Sequence, residues 1–191
     1  VGGESRSESG STSVINLDSR SRFSALDEVL EKEAGVRVRR YGGLGSYSTL
    51  SIRGSNANQV NVYIDGIPVN NAGAGEVNLS DINIDGAGRI ELYRSGVPGE
   101  FSGSSIGGSV NIVPDEHAGS GSRLTATGGS FGTYRLSGSN WGGEIGRWNV
   151  TGGLQRSDQH YRFRNDNGTP FFNTFDDFDD KRRNSGFRDA F

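Results

Sequence analysis

Residues 48–69, STLSIRGSNANQVNVYIDGIPV, constrain the fold more than any other stretch of the chain. Ser48, Leu50 and Ile52 alternate in period two, and Val60, Val62 and Ile64 do the same. The pattern predicts two short strands buried on at least one face, with a polar loop between them. Asp65-Gly66 supplies turn chemistry after the second strand, and Pro68 fixes a backbone angle just beyond it. Arg53, followed at once by Gly54, sits inside this small and apolar frame. A guanidinium buried there needs carboxylate partners.

Composition narrows the setting. The chain has 191 residues, 31 of them glycine, and neither Cys nor Met. A hydrophobic fraction of 31% is marginal for one large soluble core and suits a strand-rich fold or a portion of a larger assembly. Without Cys there are no disulfides and no thiolate zinc sites. The formal charge of −3, with both signs interspersed, leaves no basic face for nucleic acid. No run is long and apolar enough for a membrane helix, which leaves barrel strands untested because they alternate. VGGESRSESGST lacks the basic start and apolar core of a signal peptide, so an exported protein would begin here after processing or cutting. His117 and His160 lie in no nucleophile–base motif and no G-x-S-x-G elbow is present, so the chain reads as no enzyme.

Taken in order, residues 1–12 read as a flexible tail rich in Gly, Ser and charge. Val14 to Leu17 follows as a strand. SALDEVLEKEA, 24–34, is the best helix signal, with Leu26, Val29 and Leu30 on one face, Ser24 as cap and Gly35 as terminator. Its acidic run Asp27, Glu28, Glu31 and Glu33 reads as a solvated face rather than a catalytic pair. Val36 to Arg40 is a strand, and Tyr41–Tyr47 a glycine loop whose spacing and following strand fit no nucleotide cradle. Asn70 to Gly75 is a second polar loop; Asn70 and Asn71 either hydrogen-bond a polar ligand or satisfy turn backbone. DINIDG, 81–86, imitates half of a calcium loop, but the twelfth position holds Leu92, and Ile82 and Ile84 suit a short helical turn on the sheet. Arg89–Arg94 and Ser109–Val113 are strands, and 114–122 is a linker.

The segments SIRG and VYIDGIPVN, and further on RIELYRSGVPGEFSGSSIGGSVNIV, carry a family resemblance. With the preceding helix they cover roughly 24–113 and resemble the plug domain of TonB-dependent outer-membrane receptors. The chain departs from the pattern at Arg94-Ser95-Gly96 and Phe101-Ser102, where relatives usually show Arg-Gly-Pro and Tyr-Gly. The resemblance implies an α+β plug domain with a small mixed β-sheet and short helices, followed by the first strands of an antiparallel transmembrane β-barrel. The expected domains are a tail 1–12, the plug 13–114, a linker 115–122, and about four barrel strands over 123–191, an incomplete portion of a barrel of about 22.

The same resemblance makes Tyr41, Leu44, Ser46, Tyr47, Asn70 and Asn71 ligand-facing residues of outer plug loops, with packing against a barrel wall as the alternative for each. It makes Arg53 and Arg94 latches that pair with barrel glutamates. It implies the bacterial outer membrane, TonB as a partner through a segment upstream of this chain, and a cargo such as a ferric siderophore, cobalamin or other metal chelate. No cofactor is expected. Beyond the linker, Trp148, Val150, Gly152 and Leu154 share one face of an alternating segment, while Asn149, Thr151, Gly153 and Gln155 share the other. A barrel strand turns the first set to lipid and the second to a wet lumen, although a soluble sandwich alternates equally. In FDDFDD, Asp176, Asp177, Asp179 and Asp180 are calcium candidates of an outer loop, set against a solvated acidic loop balanced by Lys181, Arg182 and Arg183. A soluble or surface glycan-binding β module is the alternative for the whole.

Overall fold

The computed structural model describes residues 6–9, 11–17, 24–43, 45–70, 75–103, 105–115, 119–143, 148–165, 178–183 and 186–190. Packing divides the chain into two compact units, Val1–Ser122 with Ser139–Thr151, and Arg123–Gly138 with Gly152–Phe191. The sequence-based division placed 139–151 with the later strands instead.

The first unit is built on six strands, β1 (Arg6–Ser9), β2 (Thr12–Asn16), β5 (Asn61–Ile64), β6 (Ile67–Pro68), β7 (Ala87–Tyr93) and β8 (Ser109–Pro114). They form one sheet in the order β1-β2-β7-β8-β5-β6. Neighbours run antiparallel except β5 and β8, which are parallel, so the sheet is mixed. A second hairpin pairs β3 (Val36–Arg40) with β4 (Ser48–Ile52). The two predicted strands of 48–69 therefore lie in different sheets, and Asp65-Gly66 closes a hairpin of β5 with β6. Both turn residues have positive φ, 51° and 75°, the conformation that matches the twist of a two-residue hairpin.

Alternation explains the core. Ile90 and Leu92 of β7, Val110 and Ile112 of β8, Val62 of β5 and Ile15 of β2 are buried. They meet Leu26, Val29 and Leu30 of the helix α1 (Leu26–Leu30), together with Leu50, Ile52 and Leu79. The helix is one turn and a half, shorter than the 24–34 signal, because its charged half departs into turns. Ala25 rather than Ser24 occupies the N-cap, without a side-chain hydrogen bond. Gly35, at φ 76°, ends the segment as the sequence predicts. The helical turn read at Ile82–Ile84 falls slightly earlier, as a 3₁₀ turn over Leu79–Asp81.

Residues 1–12 are not a tail throughout. Arg6–Ser9 pairs with β2 from Arg6↔Ile15 to Ser9↔Thr12. Backbone donors and acceptors on an open sheet edge recruit a strand whatever its side chains, which is why composition alone misses it. Opposite the apolar core, the sheet carries a polar network. Glu91 accepts from Arg89 Nε at 2.8 Å, from Tyr93 Oη at 2.9 Å and from Asn111 Nδ2 at 3.0 Å. Burial alone would raise the Glu91 pKa, but the hydrogen bonds from Asn111, Arg89 and Tyr93 outweigh it and hold the carboxyl below the usual value of 4.5. Burial and the bond to Glu91 push Tyr93 up to about 12.

The later strands are β9 (Gly121–Gly129), β10 (Thr133–Gly142), β11 (Trp148–Ser157), β12 (Tyr161–Asn165), β13 (Phe178–Arg182) and β14 (Phe187–Ala190). The second unit contributes to a four-stranded sheet of order β14-β11-β10-β9 and to a two-stranded β12–β13 hairpin. Among the described residues the sheet is open, with β9 and β14 at its edges. Thr133 Oγ1 donates to Ser157 Oγ at 2.9 Å and Thr151 Oγ1 to Ser139 Oγ at 3.2 Å, which marks one polar face on β10 and β11. Leu136, Val150 and Leu154, of opposite parity, are exposed.

Two outcomes are expected of variants of this protein. Gly108 has φ 106°, and a Cβ there would lie 2.5 Å from the Tyr93 carbonyl oxygen, so Gly108→Ala should cost roughly 1–3 kcal/mol of plug stability, read as lost amide protection over β7 and β8. Because its folded pKa is depressed, Glu91 contributes stability that is fully present above its unfolded value and lost as pH falls through the lower folded one. Glu91→Gln should therefore flatten the acid limb of the plug's unfolding-temperature profile.

Candidate functional site

The β3–β4 hairpin carries the first candidate group at its tip. The Tyr41 amide donates to the Tyr47 carbonyl at 3.0 Å and the Ser46 amide to the Gly43 carbonyl at 3.0 Å, closing the loop on itself. Gly45 takes φ 74°, and a Cβ on Gly42 would collide with the Ser46 side chain. The glycines are thus needed for the tight turn, and they leave two aromatic rings on display. Tyr41 and Tyr47 are 62% and 43% exposed, with centroids 5.6 Å apart and planes at 48°. Leu44 lies outside the described residues.

The loop is moored by the segment 75–81, whose role the sequence reading missed. Tyr47 Oη donates to Glu76 Oε2 at 3.0 Å, and this bond, with some desolvation, raises the Tyr47 pKa. Asn78 Oδ1 accepts from the Ser48 amide at 2.9 Å and from the Ser80 amide at 3.2 Å, while Ser80 Oγ donates to the Ser46 carbonyl. The one local signal for this segment is the Asn78-Leu-Ser-Asp81 run, a capping pattern for its 3₁₀ turn.

Asn70 sits elsewhere and serves backbone. Its Oδ1 accepts from the Val62 amide at 2.8 Å, and its Nδ2 donates to the carbonyls of Val60 and Gly75, each at 3.1 Å. The side chain thereby continues the pairing of β5 where no strand reaches. Asn71 lies outside the described residues.

The two arginines converge on one turn. Arg94, at the end of β7, donates through Nε to the Ala34 carbonyl at 2.9 Å and through Nη1 to Ser13 Oγ at 2.7 Å; its Nη2 lies 3.5 Å from Glu33 Oε2. Its side chain is 9% exposed and that of Glu33 only 2%, so this ion pair is internal to the plug. Arg53 reaches the next residue through its backbone, its amide donating to the Gly35 carbonyl at 2.7 Å. Arg53 and Gly54 have φ 51° and 80°, and the Ser55 amide donates to the Ile52 carbonyl at 3.0 Å. A left-handed arginine costs roughly 1–2 kcal/mol; here it turns the side chain outward, where it is exposed.

The acidic run of the helix is consequently not one solvated face. Asp27 and Glu33 are buried, the first against Arg40 Nε at 2.5 Å and the second against Arg94, while Glu31 bonds Arg40 Nη1 at 2.7 Å. Partners on β3 and just after β7, invisible to local periodicity, draw these carboxylates in.

Of the calcium candidates, Asp176 and Asp177 lie outside the described residues. Asp179 and Asp180 are neighbours in β13, and alternation sends them to opposite faces, Asp179 across from Arg164 and Asp180 across from Phe163. Among the described residues no group of three or more His, Cys, Asp or Glu side chains is placed to hold a metal. A cavity of about 610 Å³ opens on the strands of the second unit, lined in part by Tyr134, Leu136, Leu154 and Arg188, and none of the predicted ligand-facing residues lines it.

A buried pair broken on one side costs ~3–5 kcal/mol. Glu33→Gln is expected to lose stability of that order by denaturant unfolding, whereas Glu28→Gln, on the exposed side of the same helix, should change it by less than ~0.5 kcal/mol.

Comparison with known proteins agrees with this architecture. Residues 4–109 match the TonB-dependent Receptor Plug Domain family. The vitamin B12 transporter BtuB of Photobacterium profundum is 36% identical over 120 residues, 62% of this chain and 20% of the relative. The vitamin B12 transporter BtuB of Vibrio cholerae serotype O1 is 32% identical over 142 residues, 73% of this chain and 23% of the relative. Among solved structures, the copper transporter OprC superposes with a TM-score of 0.61 at 21% identity, over 79% of this chain and 24% of that one. The ferripyoverdine receptor of the outer membrane of Pseudomonas aeruginosa gives 0.58 at 19% identity, over 80% and 21%. At such identities the structural likeness concerns the fold. The chain spans about a fifth to a quarter of the length of these relatives. With its mixed sheet and this match over more than half its length, the chain belongs to the TonB-dependent receptor plug-domain family.

Proposed function

We propose that this chain is the plug and the first barrel strands of an outer-membrane transporter that takes up a scarce nutrient chelate, without covalent chemistry. The observation that carries the reading is the ledge of Tyr41 and Tyr47 over Glu76, presented at the tip of a moored hairpin. Two exposed rings offer apolar area and stacking. Glu76 offers a carboxylate acceptor, and Arg40, the guanidinium at the base of the loop, is taken up by Asp27 and Glu31. Such a surface favours a neutral ligand rich in amide donors over a polyanionic chelate. That agrees with the vitamin B12 transporters among the relatives, and a cobalamin-like cargo is the reading adopted. The glycan-binding alternative has no comparable support, since the family match covers the region that carries the ledge.

In this reading Arg53 is the latch to a barrel glutamate, and Arg94 holds the turn on which Arg53 is mounted. Binding at the ledge loosens the plug from the side of the ligand. TonB, acting on a segment upstream of β1, supplies the work from the opposite side. Calcium at the acidic loop forms no part of this mechanism.

The full-length receptor in detergent, titrated with cyanocobalamin, tests the cargo. Tyr41→Ala with Tyr47→Ala is expected to weaken binding at least tenfold, about 1.4 kcal/mol, while ferric catecholates bind neither form. Unaltered cyanocobalamin affinity in the double variant would refute the ledge as the binding surface. Arg53→Ala in the same receptor is expected to raise the entry of large antibiotics into cells at normal expression; unchanged permeability would count against the latch.

A further inference from the structure

In the antiparallel pairing of β11 with β14, Arg156 stands directly across from Arg188, and Leu154 directly across from Ala190. Like charges directly opposed on neighbouring strands repel, and both arginines are exposed. Arg156 has one local counter-charge, Asp158 Oδ1, at 3.3 Å from Nε and 3.0 Å from Nη2. Among the described residues that is the one carboxylate bonded to either arginine, which leaves the pair with a positive excess.

Beside the two arginines this face carries a band of large apolar side chains. Thr133 and Ser157 bond across the other face, so Tyr134, Leu136, Leu154 and Arg156 share this one. Leu124 joins them, because its side chain lies 3.8 Å from where a Gly138 Cβ would project. Leu124, Leu136 and Leu154 are 78%, 47% and 61% exposed, and Tyr134 is 66% exposed. The arginines lie at one end of this apolar band, next to the segment that leads from β11 into the long connection towards β14. In a transmembrane barrel the longer loops lie outside, and on that reading the connection from β11 towards β14 puts Arg156 and Arg188 at the outer boundary of the membrane.

We propose that Arg156 and Arg188 form a binding site for a phosphate-bearing lipid headgroup of the outer leaflet, whose acyl chains lie along Leu124, Leu136 and Leu154. The proposal rests on the reading of these strands as membrane-spanning. A phosphate between two guanidinium forks replaces their mutual repulsion with charge-assisted hydrogen bonds, and cations just outside an apolar band are drawn to anionic headgroups. The lipid would brace the wall of the barrel from outside, a role distinct from cargo binding.

The test uses the full-length receptor in phosphatidylcholine nanodiscs doped with diphosphorylated lipid A, with retained lipid counted by native mass spectrometry. The wild-type receptor is expected to retain lipid A, the Arg156→Gln/Arg188→Gln receptor at least tenfold less, and the Arg156→Lys/Arg188→Lys receptor an intermediate amount. Dephosphorylated lipid A should be retained no better than phosphatidylcholine. Equal retention by wild type and Gln variant, or equal retention of the phosphorylated and dephosphorylated lipid, overturns the proposal. Heat-modifiable gel mobility reports separately on the folded barrel. A receptor that fails to enter nanodiscs at all defeats the membrane-spanning reading and this site with it, whereas insertion without lipid discrimination defeats the site alone.

Discussion

The ion pair of Arg94 with Glu33 is the interaction on which the plug's geometry depends. It ties the end of β7 to the turn that follows α1, and the same guanidinium holds Ser13 of β2 and the carbonyl of Ala34. One side chain thereby fixes the helix over the sheet and sets the position of Gly35, to which the backbone of Arg53 is bonded. A buried pair of this kind contributes little net stability against a well-packed apolar substitute. What it contributes is direction, since Nε and Nη1 donate to two different partners while Nη2 faces the Glu33 carboxylate. The consequence reaches Arg53, whose left-handed turn is mounted on a base that another arginine has fixed.

The two faces of the central sheet are covered in different ways. Beneath α1 the strands present Ile15, Val62, Ile90, Leu92, Val110 and Ile112 to a continuous apolar core. On the other face the covering comes from the bent segment after β7. Phe101 packs 5.0 Å from Tyr63 and 6.2 Å from Tyr93, and Tyr63 is fully buried with its hydroxyl donating to the Ser102 carbonyl. Glycine makes this covering possible: Gly107 and Gly108 pass so close to Ser55 and the Tyr93 carbonyl that side chains there would collide. The high glycine content is thus tied to a strand-rich fold with close backbone crossings.

Much of this was legible in the sequence because it is local. Period-two alternation pointed to β4 and β5, the family signature to β7 and β8, Gly35 marked the end of the helical segment, and Asp65-Gly66 marked a hairpin turn. What escaped was the pairing of residues far apart. Tyr47 meets Glu76 across 29 positions, Ser48 meets Asn78 across 30, and Arg94 meets Ser13 across 81. On a helical wheel Asp27 flanks the apolar stripe and Glu33 falls on it, three and four residues after Leu30 and Val29, but nothing near them in the chain announces Arg40 or Arg94 as their partners. Likewise β1 owes its existence to a vacant edge on β2 rather than to its own Arg-Ser-Glu-Ser side chains. The family resemblance supplied the site residues in outline, but their division of labour, with Tyr41 and Tyr47 on display and Asn70 spent on backbone, is set by contacts distant in the chain.

The placement of β1 at the rim of the sheet has a mechanical consequence. Its partner is β2 alone, in an antiparallel ladder whose first rung, counted from the N-terminus, is Arg6 with Ile15. A pull entering ahead of Arg6 loads those rungs one after another instead of all at once, so the sheet yields by peeling at low force. If the peel continues through β2, Ser13 leaves the Arg94 guanidinium. Traction at one end of the domain is thus converted into a slackened arginine at its centre, while the core strands β5, β7 and β8 stay in register.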